Sequence, residues 1–127
     1  MPLLQFDTSV AMTAGEKRSF ANEVTELYTE LFETTSEDVV VSIRAREDAE
    51  LHLGRAEPGP ILLLDAHVRR GRPTDRRREF ARAVMDAAKA RWKVPEPNMT
   101  VTFTEHDGDE MMGYDRVGGE WEPENED

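Results

Sequence analysis

Cysteine is absent from the 127-residue chain. Without it there is no disulfide bridge, no thiolate ligand for zinc and no cysteine nucleophile, so the fold must rest on packing alone. The apolar runs are also short, far below the roughly 20 residues of a membrane-spanning helix, and no signal-peptide pattern stands at the amino terminus. We therefore expect a cytoplasmic protein with no membrane partner.

Lysine is scarce and acidic residues are abundant. Thirteen arginines and three lysines oppose 27 acidic residues, which gives a formal net charge of -11. Few lysines among many carboxylates is a composition typical of proteins adapted to high salt, where counterions screen self-repulsion. So acidic a chain is also a poor ligand for phosphate backbones, and we expect no nucleic-acid partner.

The motifs of cofactor enzymes are missing as well. The chain has no phosphate-binding glycine loop, no serine nucleophile elbow and no dinucleotide fingerprint. Its three histidines, His52, His67 and His106, lack the spacing of metal ligands. The acidic stretch HDGDE at residues 106–110 is too short for a calcium loop and lacks its closing glutamate. We predict no cofactor and no bound metal.

What the chain does contain is a repeat. When the sequence is shifted by 60 positions without gaps, identical residues of the two halves superpose. The identical pairs are Leu3 and Leu63, Leu4 and Leu64, Arg18 and Arg78, Phe20 and Phe80, Ala21 and Ala81, Val24 and Val84, and Val41 and Val101. A repeat of this length indicates two copies of one structural unit.

The first unit, residues 2–47, is predicted to form a strand, a helix and a second strand. LLQF is the first strand, and Thr13 with Glu16 forms a capping box at the start of the helix. We expect that helix to end near Glu33 and the β-branched residues 39–43 to form the next strand. Apolar residues follow the helical period at Phe20, Val24, Leu27 and Leu31.

The second unit, residues 61–107, has the same order. A strand is predicted over residues 61–68, followed by a helix that begins after Pro73. Pro95 stops this helix before a last strand at residues 99–103.

Two β-α-β units in one small domain predict an α/β fold, termed α+β in some schemes. Parallel pairing inside each unit and right-handed crossovers give a four-stranded sheet with both helices on one face. The pattern of the strands indicates burial on both sides, so we expect other subunits of a symmetric ring to cover the second face. We predict one domain over residues 1–121, with a hairpin or lid at 108–121, and a disordered acidic tail at 122–127.

The opening MPLLQFD, the two β-α-β units and the arginines of VRRGR, residues 68–72, together resemble the tautomerase superfamily. The opening is most similar to the malonate semialdehyde decarboxylase branch, with further similarity to the cis-3-chloroacrylic acid dehalogenase branch. The resemblance covers residues 2–121. It implies a fold like that of macrophage migration inhibitory factor, a homotrimer and chemistry without a cofactor.

The resemblance also implies site residues. In that superfamily an amino-terminal proline is the catalytic group, and Pro2 takes this position once Met1 is removed. The decarboxylase branch has an aspartate after the first helix, which Asp38 matches, six residues on from Phe32.

Three arginines are implied as ligands of a substrate carboxylate. Arg70 and Arg72 match the spacing of the decarboxylase branch, whereas Arg69 and Arg72 match that of the dehalogenase branch. Arg72 is common to both alignments and its partner is left open. The planar fork of arginine suits a carboxylate because it offers two parallel donors.

The pocket wall is implied at both ends of the chain. Tyr28 stands where the dehalogenase branch has a histidine, and its position on the core side of the helix favours a packed ring. The residues that approximate the aromatic wall of the decarboxylase branch are Met111, Met112, Tyr114 and Trp121.

The chemistry depends on the protonation state of the Pro2 amine. An α-amino group titrates at about 8, and an apolar pocket with nearby guanidinium groups lowers the pKa of such an amine. A neutral amine moves a proton between carbon and oxygen, as a tautomerase does. A protonated amine acts as an acid, and a free amine also forms an iminium, as in decarboxylation or hydration.

Three functions are compatible with these residues. The leading prediction is an enol–keto isomerase acting on a small 2-oxo or 2-hydroxy-dienoic acid. The alternative is a lyase or hydratase of the malonate semialdehyde decarboxylase type, with Asp38 assisting Pro2. A weaker alternative is a non-catalytic trimeric interaction module.

Overall fold

The structure is a computed structural model that describes residues 2–117. The predictions for Met1 and Trp121, for the last part of the 108–121 hairpin, and for the acidic tail at 122–127 concern residues outside this range. No helix within residues 2–117 is long and apolar enough to cross a membrane.

The first unit begins with strand β1, Leu3–Thr8, and continues through helix α1, Ala14–Phe32, to strand β2, Val40–Ala45. The helix starts at the predicted capping box, in which the Thr13 hydroxyl accepts from the Glu16 amide at 3.1 Å. The Glu16 carboxylate in turn accepts from the Thr13 amide at 2.9 Å. Two otherwise unpaired amides of the helix start are thereby satisfied.

The second unit repeats the first with strand β3, Leu62–Arg69, helix α2, Thr74–Trp92, and strand β4, Met99–His106. Both helices have 19 residues and start 60 positions apart. Each is ended by a residue in the left-handed conformation, Glu33 at φ 51° and Lys93 at φ 54°. The predicted repeat is therefore confirmed down to the ends of its helices.

The four strands form one mixed sheet in the order β2-β1-β3-β4. β1 pairs with β2, and β3 with β4, in parallel, while β1 and β3 pair antiparallel. Leu4 and Phe6 of β1 and Leu62 and Leu64 of β3 point towards the helices and are fully or almost fully buried. The predicted fold class is confirmed.

Aromatic side chains fill the space between the sheet and the two helices. Phe20 of α1 packs edge to face against Phe6, with ring centroids 5.2 Å apart, and against Trp92 at 5.0 Å. Tyr28 meets Phe80 of α2 edge to face at 5.3 Å. Such pairs contribute about 0.5–1.5 kcal/mol each beyond the burial of their area, so they join α1 to both the sheet and α2.

The second face of the sheet is more polar than expected. The side chains that alternate with the core residues are, along the four strands, Val40, Ser42, Arg44, Leu3, Gln5, Asp7, Leu63, Asp65, His67, Thr100, Thr102 and Thr104. Most carry polar groups, and Arg44 and Arg46 bind Asp7 at 3.0 and 2.9 Å. The apolar side chains of this face are Leu3, Val40 and Leu63, and its covering by other subunits stays a prediction.

A buried asparagine anchors the connection between the two units. Asn98, fully buried before β4, accepts from the Glu57 amide at 2.8 Å and donates to the carbonyl oxygens of Glu57 at 2.8 Å and Pro60 at 3.0 Å. Beside it, Gly59 has φ 135°, and a Cβ there would lie 3.2 Å from Pro95. Only glycine fits this turn without strain.

The Glu16 carboxylate is predicted to stabilise the fold in a pH-dependent way. Its pKa lies below the ordinary value of 4.5, because it accepts hydrogen bonds from the Thr13 backbone and the Trp92 indole. A lowered pKa in the folded state means that the stabilisation is complete above pH 4.5 and is lost as the pH falls through the folded pKa. We expect Glu16→Gln to melt below wild type at pH 7, with the difference shrinking towards pH 3 in thermal unfolding.

Glu30→Gln is the matched control, since Glu30 is an exposed glutamate of the same helix. A deficit of Glu16→Gln that stays constant from pH 7 to pH 3 would contradict the role of the ionised carboxylate.

Candidate active site

Four strand ends meet at one edge of the sheet. Because β1 runs antiparallel to β3, the beginning of β1 lies beside the end of β3, with Leu3 opposite His67. The parallel partners bring the beginning of β2 at Val40 and the end of β4 at His106 to the same edge. Residues far apart in sequence are thereby gathered around Pro2.

A cleft of about 540 Å³ opens at this edge. Pro2 is buried, and its carbonyl oxygen accepts a hydrogen bond from the Val40 amide at 3.0 Å, which fixes the start of β1 against β2. The described residues that line the cleft are Pro2, Leu3, Glu37, Asp38, Val40, His67, His106, Glu110, Met111, Met112 and Gly113. A cleft of this size accommodates a small organic molecule.

Asp38 lines the cleft together with Pro2 and is held by an ion pair. Its side chain is only 15% exposed, and Arg116 donates from Nη1 to Asp38 Oδ2 at 2.9 Å and to Glu37 Oε1 at 3.1 Å. The pKa of Arg116 is raised by the hydrogen bond to Glu37 first and by that to Asp38 second. Two adjacent carboxylates thus share one guanidinium.

A short hairpin carries Arg116 to this position. Met112 pairs with Val117 in an antiparallel bridge, and the Gly113 amide donates to the Arg116 carbonyl at 2.9 Å. Met111 and Met112 line the cleft, whereas the side chain of Tyr114 is fully exposed. Of the expected pocket wall, the structure brings the two methionines to Pro2 and leaves Tyr114 outside.

Arg69, at the end of β3, and Arg70 and Arg72, in the turn that follows, are not among the described residues that line the cleft. Arg70 is half exposed and donates from Nε to Asp107 Oδ1 at 2.9 Å. Arg69 and Arg72 are both 2% exposed. Gly71, at φ 118°, turns the chain between them. All three stand at the same edge of the sheet as Pro2, but outside the described lining.

Arg72 packs against the aromatic core. Its guanidinium carbon lies 5.4 Å from the ring centre of Tyr28 and 5.2 Å from that of Phe32, within the range of cation–π contacts. Tyr28 itself is fully buried between Phe32 and Phe80, at centroid distances of 4.6 and 5.3 Å. Tyr28 therefore supports Arg72 from the core and is not among the described residues of the cleft wall.

Two histidines that are far apart in sequence meet in the cleft. His67 Nδ1 lies 2.9 Å from His106 Nε2, and His67 Nε2 lies 3.2 Å from Asp65 Oδ2. The sequence signal for this cluster is Asp65 and His67 two residues apart on one strand, because such residues share a face. Parallel pairing of β3 with β4 then adds His106 from the neighbouring strand.

A group of carboxylates lies just after β4. Oxygens of Asp107, Asp109 and Glu110 come within 4.8 Å of one another, and all three residues are exposed. Asp107 is engaged by Arg70. These are the described residues that could hold a cation, and exposed acidic groups of this kind are common without one.

Comparisons with solved structures identify the class of fold. A member of the cis-3-chloroacrylic acid dehalogenase family superposes with a TM-score of 0.82, at 16% identity, covering 93% of this chain and 84% of the other. Malonate semialdehyde decarboxylase, described with decarboxylase and hydratase activities, gives a TM-score of 0.72 at 19% identity, covering 90% and 92%. A fused 4-OT described as a symmetric trimer gives 0.79 at 14% identity, covering 91% and 97%.

The chain therefore has the fold of the tautomerase superfamily, as the sequence resemblance predicted. No family model matches the sequence, and no curated protein gives a significant match. At identities of 14–19% the shared feature is the fold.

Arg116 is predicted to fasten the hairpin over the cleft. Replacing it with glutamine leaves Glu37 and Asp38 without their shared cation, so we expect the hairpin to open more often. Hydrogen exchange followed by mass spectrometry should show faster exchange of residues 111–117. Arg82→Gln is the control, because Arg82 pairs only with Asp86 on the exposed side of α2 among the residues described. Equal exchange in the two variants would refute the fastening role.

Proposed function

We propose that this protein is a cofactor-independent tautomerase that interconverts the enol and keto forms of a small 2-oxo or 2-hydroxy-dienoic acid. The observation that carries the proposal is the position of Pro2, buried at the head of β1 and lining a 540 Å³ cleft with Asp38. Removal of Met1 converts the nitrogen of Pro2 into a secondary amine in that cleft. The similarity of the fold to dehalogenase, decarboxylase and 4-OT structures supports the same class of chemistry.

The amine moves one proton between oxygen and carbon. In ketonisation the enol O–H bond breaks, a C–H bond forms at C3, and the C–O bond becomes a carbonyl as the C=C bond becomes single. No oxidant or cofactor enters this balance. Pro2 is buried, and burial lowers the pKa of such an amine, whereas the carboxylates of Glu37, Asp38 and Glu110 in the same cleft raise it. We propose that burial is the larger effect.

Charge determines how the substrate lies in the cleft. Glu37, Asp38 and Glu110 line one part of it and repel a carboxylate. We therefore propose that the substrate carboxylate points to the end of β3, with Arg72 and either Arg70 or Arg69 as its ligands. This requires the substrate to reach the buried side chain of Arg72, which is not among the described residues of the lining. Arg72 is preorganised for this by its stacking on Tyr28 and Phe32.

Assembly into a homotrimer accompanies this function in our proposal. A fused 4-OT of the same fold is described as a symmetric trimer. Near the cleft, the exposed side chains of Val40, Met112, Tyr114 and Val117 offer apolar surface to a second copy.

The amine is tested by changing it directly. We expect mass spectrometry of the purified protein to show loss of Met1, and Pro2→Ala to lower kcat for phenylenolpyruvate ketonisation on the order of a hundredfold. One extra residue before Pro2 should abolish turnover, because it acylates the nitrogen. Pro58→Ala, in the exposed connection between the units, should match wild type. Full activity of the extended chain would rule out the amine, and folded but inactive wild type would favour an interaction module.

A second candidate is supported by Asp38. Its carboxylate lies in the Pro2 cleft and is mostly buried. This position suits a residue that assists a protonated Pro2 in a lyase or hydratase of the malonate semialdehyde decarboxylase type. Here Pro2 is the acid and Asp38 positions water or accepts a proton.

Asp38→Asn separates the two candidates. In a tautomerase it should change phenylenolpyruvate ketonisation less than threefold, whereas in a decarboxylase it should lower malonate semialdehyde turnover on the order of a hundredfold. Glu37→Gln is the matched control, because Glu37 shares Arg116 with Asp38 but is far more exposed. Equal losses in both variants would point to the hairpin contact instead.

A further inference from the structure

Within the proposed tautomerase function, on which this role rests, we infer that Asp65, His67 and His106 form a proton-carrying chain in the Pro2 cleft. His106 Nδ1 is its outer end and acts as a second proton-transferring group beside Pro2. His67 and Asp65 are positioning residues that act through His106.

The hydrogen bonds dictate where the protons lie. An ionised carboxylate is only an acceptor, so His67 must donate from Nε2 to Asp65 Oδ2 across 3.2 Å. When both rings are neutral, His67 presents a lone pair at Nδ1, and His106 donates to it from Nε2 across 2.9 Å. This leaves the lone pair of His106 at Nδ1. Both rings are therefore Nε2–H tautomers, each fixed by the group behind it.

Strand geometry holds the chain rigidly. Asp65 and His67 alternate on the face of β3 that is turned away from the helices, and His106 stands diagonally across on β4. The two rings are nearly parallel, at 23°, with centroids 5.1 Å apart. The side chain of Asp65 is 49% exposed and that of His67 26%, so the chain runs from the open sheet face into the cleft. Groups on neighbouring strands are placed more precisely than groups on loops.

Charged groups face the histidines from every element around them. Among the described residues they are Asp65, which contacts His67, Arg69, which is the cross-strand partner of His106, and Pro2, Glu37, Asp38 and Glu110, which line the same cleft. Glu37 and Asp38 already share Arg116. Within residues 2–117, Asp65 is the carboxylate that hydrogen-bonds to the ring pair.

The chain divides the proton transfer between two groups. An amine whose pKa is lowered to near neutrality is still partly protonated at about pH 7. From that protonated form, ketonisation proceeds as His106 Nδ1 accepts the hydroxyl proton of the enol while the Pro2 ammonium gives its proton to C3. The O–H and Pro2 N–H bonds break, and the C3–H and His106 N–H bonds form. The Nε2 proton of His106 can then shift to His67, whose positive charge lies against Asp65. Water in the cleft returns one proton from the chain to Pro2, which closes the cycle.

Ring-nitrogen chemical shifts test the arrangement without any substrate. With ¹⁵N-histidine in the full-length protein at pH 8, we expect His67 and His106 both as Nε2–H tautomers. In Asp65→Asn the Nδ1–H form of His67 should become populated, because the neutral amide no longer holds the proton on Nε2. His52, exposed and outside the cleft, is the internal reference. An Nδ1–H form of either ring in wild type would overturn the chain.

Enzyme kinetics test whether the proton chain takes part in turnover. We expect His106→Gln to lower kcat for phenylenolpyruvate ketonisation on the order of a hundredfold with KM changed less than threefold, and to remove the acid limb of the pH–rate profile. Glutamine keeps a donor towards His67 and removes the titrating nitrogen. Asp65→Asn should give a smaller loss, and His52→Gln none.

The outcomes separate this role from the proposed function. If Pro2→Ala loses turnover but His106→Gln keeps the rate and pH profile of wild type, the proton chain is refuted and the tautomerase stands. If wild type does not ketonise the substrate at all, the tautomerase is refuted, and the ring-nitrogen shifts alone decide whether the chain exists.

Discussion

The antiparallel pairing of β1 with β3 is the interaction on which the rest of this structure depends. In the order β2-β1-β3-β4 it is the one sheet contact between the two units, each of which is itself a parallel pair joined by a helix. Its register, from Leu3 opposite His67 to Thr8 opposite Leu62, keeps Leu4 and Phe6 on the helical side. A slip by one residue would turn these core side chains to the other face, so the buried aromatic cluster and the sheet register enforce each other.

The same pairing creates the cleft. Because the two units run in opposite directions across this pair, the first residues of β1 lie beside the last residues of β3, and β4 ends at the same edge of the sheet. The first residue of β2, Val40, joins them because its amide donates a hydrogen bond to the carbonyl oxygen of Pro2. No single unit contains the gathered groups, and neither unit alone has the covered core that a fold of this size needs. Stability and site formation are therefore properties of the joined pair.

The helices, the strands and the sheet order could be predicted because their signals are local or repeated. The capping box at Thr13 and the 60-residue offset determine the helix limits, and β-branched runs mark the strands. The polar character of the second sheet face could not be predicted, because the short apolar runs are similar to those of strands that are buried on both sides. The site was harder to predict, since the carboxylates that bind Arg116 lie 78 and 79 residues before it in the sequence. Arg116 stands in an acidic stretch of the sequence, and this stretch does not indicate which carboxylates it binds.

The spacing of residues along the chain also does not predict where their side chains point. Arg69, Arg70 and Arg72 are neighbours in sequence, yet one contacts Asp107 while another stacks on aromatic rings in the core. The turn at Gly71 reorients the backbone between them. His67 and His106 show the converse, since strand pairing joins residues that no sequence motif connects.

The offset between the units has a consequence for stoichiometry. The residue that corresponds to Pro2 in the second unit is Leu62, which lies inside the continuous chain at the start of β3. Its nitrogen is an amide, and an amide is not basic, whatever cavity surrounds it. Pseudo-symmetry of the backbone is thus broken by chain connectivity alone, so that under the proposed function two similar halves would provide one reactive amine per polypeptide.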